Sequence, residues 1–165
     1  MLRGLCLAFA IVVWLVGAVS AQPNEGFTSG QWRGWAHFKD GKFVRCATFA
    51  RYINEWDLFF SVDDAGTFGL LLRSEKMLNN MLFGGDPVRA RMRIDDAPLV
   101  VRVLTPLSEY LIETKFAANL DFARRFSTGK LLRVSTGRKV LRFPLTDPKE
   151  ALVQLHTCAN KHRSA

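Results

Sequence analysis

Short segments in which apolar and polar residues alternate constrain the fold of this chain more than any other feature. The clearest is residues 88–95, where the apolar positions are Val88, Ala90, Met92 and Ile94, and the polar positions are Arg89, Arg91, Arg93 and Asp95. A period of two places one set of side chains in the core and the other on the opposite face of a strand. Several such segments, separated by turn residues, predict a mainly β, antiparallel domain of the sandwich or barrel-like type.

Turn residues join these segments into hairpins. Asp40-Gly41 lies between the apolar segments 32–39 and 42–52, and this dipeptide readily adopts the positive φ angles of a type I′ turn. Two further hairpins are predicted, pairing 56–62 with 68–72 and 130–136 with 139–145. The remaining strands are expected at 88–95, 99–105 and, after Pro106, 107–113.

Two segments show helical periodicity instead. A mid-chain amphipathic helix ending near Gly129 is predicted by apolar residues spaced three and four apart, at Phe116, Leu120, Ala123 and Phe126. A C-terminal helix should begin after the N-cap Asp147, with Pro148 at its first position and Glu150 three residues after the cap. Residues 74–87 are interpreted as a short helical turn or an ordered loop.

The N-terminal segment predicts export. An apolar run at 5–19 is followed by small residues ending at Ala21, which is typical of a cleaved signal peptide over 1–21; a retained membrane anchor is the alternative. Removing 21 of the 165 residues leaves 144, the size of one domain. We expect a mobile polar leader at 22–31, a single domain at 32–162, and a location in the periplasm or cell envelope.

The predicted cleavage determines which cysteines remain in the mature chain. Cys6 is lost with the signal peptide, so Cys46 and Cys158 remain. Two cysteines in an oxidising compartment usually pair, and a disulfide between them is the prediction. The alternative is a reactive cysteine with a histidine base, for which the candidates are His37, His156 and His162.

Arginines form the candidate binding site. Arg89, Arg91 and Arg93 share one strand face at a spacing of about 7 Å, and we expect Arg102 to join them across the turn. Guanidinium groups in a row suit carboxylate or phosphate partners. The alternative is a solvated surface balanced by acidic residues of neighbouring strands, namely Asp57, Asp63, Glu109 or Glu113.

Overall charge favours an anionic partner. When Arg3 leaves with the signal peptide, 22 of the 23 basic residues remain against 15 acidic ones, so the net charge falls from +8 to +7. A basic surface attracts anionic envelope components and repels cationic ones. The chain has no sequence pattern of a nucleic-acid-binding module, so nucleic acid is not an expected partner.

Other candidate groups favour structural interpretations. His156, Cys158 and His162 are metal-ligating residue types, but on a helix His156 and Cys158 would point about 200° apart. The three side chains therefore cannot converge on one metal ion, and no metal site is predicted. Two pairs of acidic residues lie at predicted hairpin turns, Asp63-Asp64 and Asp95-Asp96. Aspartate is favoured there because its side chain bonds the backbone, so we interpret these pairs as turn residues and not as catalytic carboxylates. Three tryptophans are expected in the core, with a sugar-stacking platform as the alternative: Trp32, Trp35 and Trp56.

The order of motifs resembles a known family. Cys46 lies in an early strand and is followed by Met-Arg-Ile-Asp-Asp-Ala-Pro-Leu at 92–99, Leu-Leu-Arg-Val at 131–134, Val-Leu-Arg-Phe-Pro-Leu at 140–145 and a helix containing Ala-Leu-Val-Gln-Leu at 151–155. Over residues 32–160 this layout is similar to that of the invasion-associated locus B family of exported proteobacterial proteins, as a distant member. The resemblance implies an envelope-associated β-sandwich-like domain, with no established catalytic residues, in envelope or host-contact biology.

These observations predict a non-enzymatic exported protein without cofactor or metal. It would act by binding an envelope protein or an anionic surface, in host contact or envelope integrity. The alternative is an envelope hydrolase or a carbohydrate-active module, whose carboxylates converge only in the folded chain. An enzyme of that kind needs a concave pocket with convergent titratable groups, whereas a binding module needs only an exposed patch.

Overall fold

The computed structural model describes residues 26–53, 55–74, 86–116, 120–137 and 139–163. Over these residues the strands are β1 (Gly26–Ser29), β2 (Trp32–Lys39), β3 (Lys42–Arg51), β4 (Asp57–Asp63), β5 (Phe68–Arg73), β6 (Val88–Ile94), β7 (Val100–Ser108), β8 (Leu111–Phe116), β9 (Leu131–Ser135) and β10 (Val140–Pro144). The helices are α1 (Leu120–Thr128), which separates β8 from β9, and α2 (Pro148–Arg163).

The ten strands of the described residues form one antiparallel sheet in the order β1-β2-β3-β4-β5-β8-β7-β6-β9-β10. The predicted fold class, mainly antiparallel β with a mid-chain and a C-terminal helix, is confirmed. The first hairpin turns as expected, since Asp40 and Gly41 have φ angles of 51° and 75°. These positive values fit a type I′ turn, which matches the twist of the flanking strands.

The two ends of the sheet enclose one core. The indole Nε1 of Trp32, at the start of β2, donates a hydrogen bond of 2.7 Å to the carbonyl oxygen of Thr146, just after β10. The ring of Tyr52 lies 5.2 Å from that of Phe143 in β10. Because these contacts join the beginning and the end of the strand order, the sheet must curve, and its concave face becomes the interior.

Aromatic side chains fill the interior between the sheet and the helices. Trp32 is fully buried, and its ring lies 5.7 Å from Phe60 of β4 and 5.8 Å from Phe126 of α1. Helix α2 packs on β1 to β4 and on α1. Its buried face consists of Pro148, Ala151, Leu152, Leu155 and Ala159.

A disulfide fastens α2 to the sheet. Cys46 of β3 is fully buried, and its sulfur is bonded to that of Cys158 of α2, with the Cα atoms 6.1 Å apart. This is the predicted pair. The bond closes a loop over a sequence separation of 112 residues, so it fixes the last helix of the described chain to an early strand.

Part of the predicted leader is a strand. We expected residues 22–31 to be mobile, but β1 pairs with β2 in the register Gly26↔Trp35 to Ser29↔Trp32. The prediction is therefore wrong for these residues, while 22–25 lie outside the described residues. The physical reason is the space above Gly34, where an added Cβ would lie 2.1 Å from Cζ of Phe27. A single phenylalanine docked on a glycine holds a strand whose composition is otherwise polar.

Two predicted boundaries also differ. Phe116 is the buried last residue of β8 rather than part of the helix, and α1 begins at Leu120. Strand β7 continues through Pro106, where the pairing with β8 shifts register. Proline lacks a backbone N–H, so it is tolerated at such an irregularity. The interpretation of 74–87 as a turn or loop falls largely on 75–85, outside the described residues.

We predict that protein recovered after export contains the Cys46–Cys158 bond, which peptide mapping under non-reducing conditions will detect. Replacing both cysteines by alanine should lower the free energy of unfolding, by at most about 4 to 5 kcal/mol, because the unfolded chain regains the freedom of a long loop. Recovery of both residues as free thiols would contradict this prediction.

The alternation in β6 gives a second test. Ile94 is 4% exposed and faces the core, whereas Arg91 is exposed on the opposite face. Ile94→Asp should unfold the domain, since burying an unpaired carboxylate costs several kcal/mol, comparable with the whole stability of a domain. Arg91→Ala should leave the melting temperature nearly unchanged. Equal losses in thermal melts of the two variants would show that the faces are misassigned.

Candidate functional site

The three arginines of β6 lie on the outer face of the sheet. Arg89, Arg91 and Arg93 are exposed, whereas Ala90 and Met92 between them are fully buried. The alternation seen in the sequence therefore orients these side chains as expected, and their guanidinium groups point away from the core.

Arg102 lies on the other face, so the expectation that it joins them is wrong. Its cross-strand partner is the buried Ala90, and residues directly opposite each other in an antiparallel pair share a face. The Arg102 guanidinium carbon lies 5.3 Å from the ring centroid of Phe116, and Nη1 donates to the Val101 carbonyl oxygen at 3.0 Å. The pairing register of β6 with β7 determines which face Arg102 occupies, and that register was not evident in the sequence.

The sheet instead adds two arginines that were missed. Arg93 pairs with Arg133 of β9, and Arg133 pairs in turn with Arg142 of β10. All three therefore lie in one row across neighbouring strands, which are about 4.8 Å apart. The sequence did contain a signal that Arg133 and Arg142 face outward, because each is next to an apolar residue, Leu132 or Phe143, that is buried in the core. We call Arg89, Arg91, Arg93, Arg133 and Arg142 together the arginine face.

Several cations of β3, β5 and β8 are paired with carboxylates. Arg45 Nη1 lies 3.0 Å from Glu113 Oε1. Two further carboxylates, those of Asp57 and Asp63, also pair with basic side chains, the partners being Arg51 and Arg73 for the first and Lys115 for the second. These are three of the four acidic residues considered as partners for the β6 arginines. The fourth, Glu109, accepts a hydrogen bond from Tyr110, and this bond together with the Glu109 charge raises the pKa of Tyr110.

The arginine face has no such neutralisation. Within the part of the chain that the structure describes, no carboxylate forms an ion pair with Arg89, Arg91, Arg93 or Arg142. Arg133 donates from Nη1 to the carbonyl oxygen of Asp95 at 2.8 Å. Among the described residues, these arginines therefore form a positive surface without ion-paired carboxylates.

The arginine face is shallow and has an apolar border. Arg91, Arg93 and Arg133 line an open depression of about 500 Å³, whose other lining residues are Asp96, Leu99, Ser135 and Val140. Val101 borders an adjacent depression of about 390 Å³ together with Arg89 and Arg91. Such open grooves suit an extended anionic surface better than a small enclosed substrate.

The acidic pairs serve the turns. Asp63 Oδ1 accepts a hydrogen bond of 2.7 Å from the Thr67 amide. The Asp95 carboxylate accepts from the amides of Lys130 and Leu131, which ties the β6–β7 turn to the start of β9. Both aspartates therefore bind backbone amides as expected, Asp63 within its own turn and Asp95 at the start of a distant strand. In the described ranges, no group of three histidine, cysteine or acidic residues has the arrangement of a metal site.

The tryptophans do not form one platform. Trp32 and Trp56 are core residues, 0% and 3% exposed. Trp35 lies apart from them on the outer face, where its ring is 5.8 Å from Phe49 and 6.4 Å from Phe59. The core interpretation is therefore right for two of the three residues, and the three together cannot stack on one sugar chain.

Asp57 links three strands on the outer face. Arg51 Nε and Arg73 Nε each donate to its carboxylate at 2.9 Å. Burial by itself raises the pKa of Asp57, but the hydrogen bonds and charges of Arg51 and Arg73 outweigh it, so the pKa lies below the usual 3.8. The ionised carboxylate is therefore the form that the fold stabilises.

Fold and surface together define a curved, mainly antiparallel β domain closed by two helices, with a basic outer face on β6, β9 and β10. A solved structure that shares this fold is invasion-associated protein B from Bartonella henselae, with a TM-score of 0.60 and 16% sequence identity, covering 82% of this chain and 97% of that chain. The relationship is distant and is shown at the level of the fold. No protein-family model and no curated protein matches the sequence.

Among the residues described, neither α1 nor α2 has the length and apolar character needed to cross a bilayer.

The Asp57 ion pairs predict a pH-dependent stability. A carboxylate whose pKa is lowered by folding stabilises the native state above its unfolded pKa, and this contribution disappears as the pH falls through the folded pKa. Asp57→Asn should therefore lower the free energy of unfolding at pH 7 by about 1.5 to 3 kcal/mol, and urea titrations should show the difference from wild type shrinking below about pH 4. The exposed Asp86→Asn is the matched control. A difference independent of pH would contradict the ionic explanation.

Proposed function

We propose that this chain is an exported, non-enzymatic protein of the periplasm or cell envelope that binds an anionic partner through the arginine face. The proposal includes cleavage of the signal peptide after Ala21 and a distant place in the invasion-associated locus B family. The likeness in fold to invasion-associated protein B supports that placement. The disulfide supports an oxidising compartment, where such bonds persist.

The observation that carries the binding proposal is the row Arg93–Arg133–Arg142. Like charges directly opposite each other in a sheet are destabilising, whereas Arg45, Arg51 and Arg73 elsewhere in the same sheet are paired with carboxylates. A row of guanidinium groups without carboxylate partners is therefore costly to the isolated fold. A bound anion would offset that repulsion, which is the physical reason to assign the row to binding.

The hydrolase alternative has weaker support. A small cavity of about 140 Å³ brings Asp63, Asp64 and Glu113 together beside β3 to β5. Glu113 is ion-paired with Arg45, and Asp63 accepts the Thr67 amide. These bonds favour a structural role for the carboxylates, so we propose the binding function in preference to catalysis.

Replacement of Arg89, Arg91 and Arg93 together by serine tests the proposal. Wild-type protein should be retained on outer-membrane extract at low salt and released as salt rises, because the Debye length falls from about 10 Å at 0.1 M to about 3 Å at 1 M. The triple variant should be retained poorly at every salt concentration.

The control removes three positive charges from β2 and β3, which do not carry the arginine face, by replacing the exposed Arg33, Lys39 and Lys42 with serine. It should bind like wild type, which separates the arginine face from net charge alone. Thermal melts establish that each variant is folded. Equal retention of all three proteins at every ionic strength would place the contact elsewhere.

A further inference from the structure

We propose that the anionic partner is a lipid membrane surface, whose phosphate groups bind the arginine face while apolar residues at its border enter the interface. This inference rests on the proposed binding function and adds the chemical class of the partner. It draws on two sets of side chains that the sheet register brings to the same surface.

The first set is the arginine row. Guanidinium groups form forked hydrogen bonds with phosphate oxygens, and Arg93, Arg133 and Arg142 stand side by side on adjacent strands. Arg91 and Arg89 extend the positive surface along β6 in the perpendicular direction. The result is a two-dimensional array, which matches a plane of headgroups better than a single linear chain of charges.

The second set is apolar and exposed. Val101 and Val103 of β7 are 47% and 49% exposed, and they lie directly opposite Arg91 and Arg89. On the other side of the array, Val140 of β10 is 54% exposed. These valines therefore border the arginines on two sides, in a sheet face that no other described element covers.

The combination discriminates between partners. A soluble polyanion, such as an acidic polysaccharide, would neutralise the arginines but leave the bordering valines in water. A membrane surface satisfies both sets, because phosphates lie at the level of the charges and the apolar region begins just beneath them. Attraction to an anionic leaflet also agrees with the basic balance of the chain after removal of the signal peptide, 22 basic residues against 15 acidic ones.

The test compares two probes and two double variants, using protein purified after expression and export of the full chain. The probes are vesicles of phosphatidylcholine mixed with phosphatidylglycerol, and heparin as a soluble polyanion. Arg93→Ser with Arg142→Ser removes exposed charges of the row. Val101→Ser with Val103→Ser removes the apolar border and leaves every charge in place. The control is Val153→Ser; Val153 is 49% exposed on α2, a helix that packs on β1 to β4 and on α1.

We expect wild type and V153S to sediment with the anionic vesicles, but not with phosphatidylcholine alone. The arginine variant should lose binding to both vesicles and heparin. The valine variant should bind vesicles about tenfold more weakly, since two half-exposed valines no longer contribute apolar burial, and it should bind heparin like wild type.

Each other outcome overturns a different statement. If the valine variant binds vesicles as wild type does while the arginine variant does not, the valines do not enter the interface and the vesicles bind by charge alone, as any polyanion would; the lipid-specific proposal fails and the anion-binding function stands. The same conclusion follows if wild type binds heparin but not vesicles. If wild type binds neither probe, or the arginine variant binds both normally, the proposed function fails as well. Should the valine variant melt early, Val140→Ser supplies the same test from the other border.

Discussion

The closure of the sheet around Trp32 is the interaction on which the rest of the structure depends. Its ring packs between Phe60 of β4 and Phe126 of α1, and its indole N–H binds the Thr146 carbonyl beyond the last strand. One buried side chain therefore connects an early strand, the mid-chain helix and the end of β10. This closure makes one face of the sheet the interior, and so determines that the alternate residues of β6, β9 and β10 form the outer surface.

The disulfide also stabilises this arrangement, by joining the C-terminal helix to an early strand. It holds α2 against β3, while the buried side of α2 covers β1 to β4. Because the helix covers the concave side of the early strands, the outer side is left to interact with solvent or partners. Two regions of that outer surface have different electrostatics: the middle strands carry the ion pairs centred on Asp57 and Glu113, whereas β6, β9 and β10 carry the arginine face.

This contrast within a single sheet gives the basic surface its significance. Exposed arginines are common and generally need no explanation. In this sheet, however, Arg45, Arg51 and Arg73 each form an ion pair with a carboxylate. In the described residues no carboxylate forms an ion pair with Arg93 or Arg142, which lie in one row with Arg133. The row of like charges, together with the valines beside it, is the basis of our proposal that this face binds an anionic amphiphilic surface.

The sequence by itself determined the strand pattern, the first hairpin turn, the two helices and the outward orientation of Arg89, Arg91 and Arg93. These features depend on local periodicity and turn chemistry, which a few consecutive residues specify. It did not reveal that Arg102 faces inward, that Arg133 and Arg142 join the row, or that Phe27 docks on Gly34 to make an edge strand. Those facts depend on pairing between distant strands, where a register shift of one residue exchanges the two faces. Only the tertiary structure decided them, because register is fixed by the packing of the whole core.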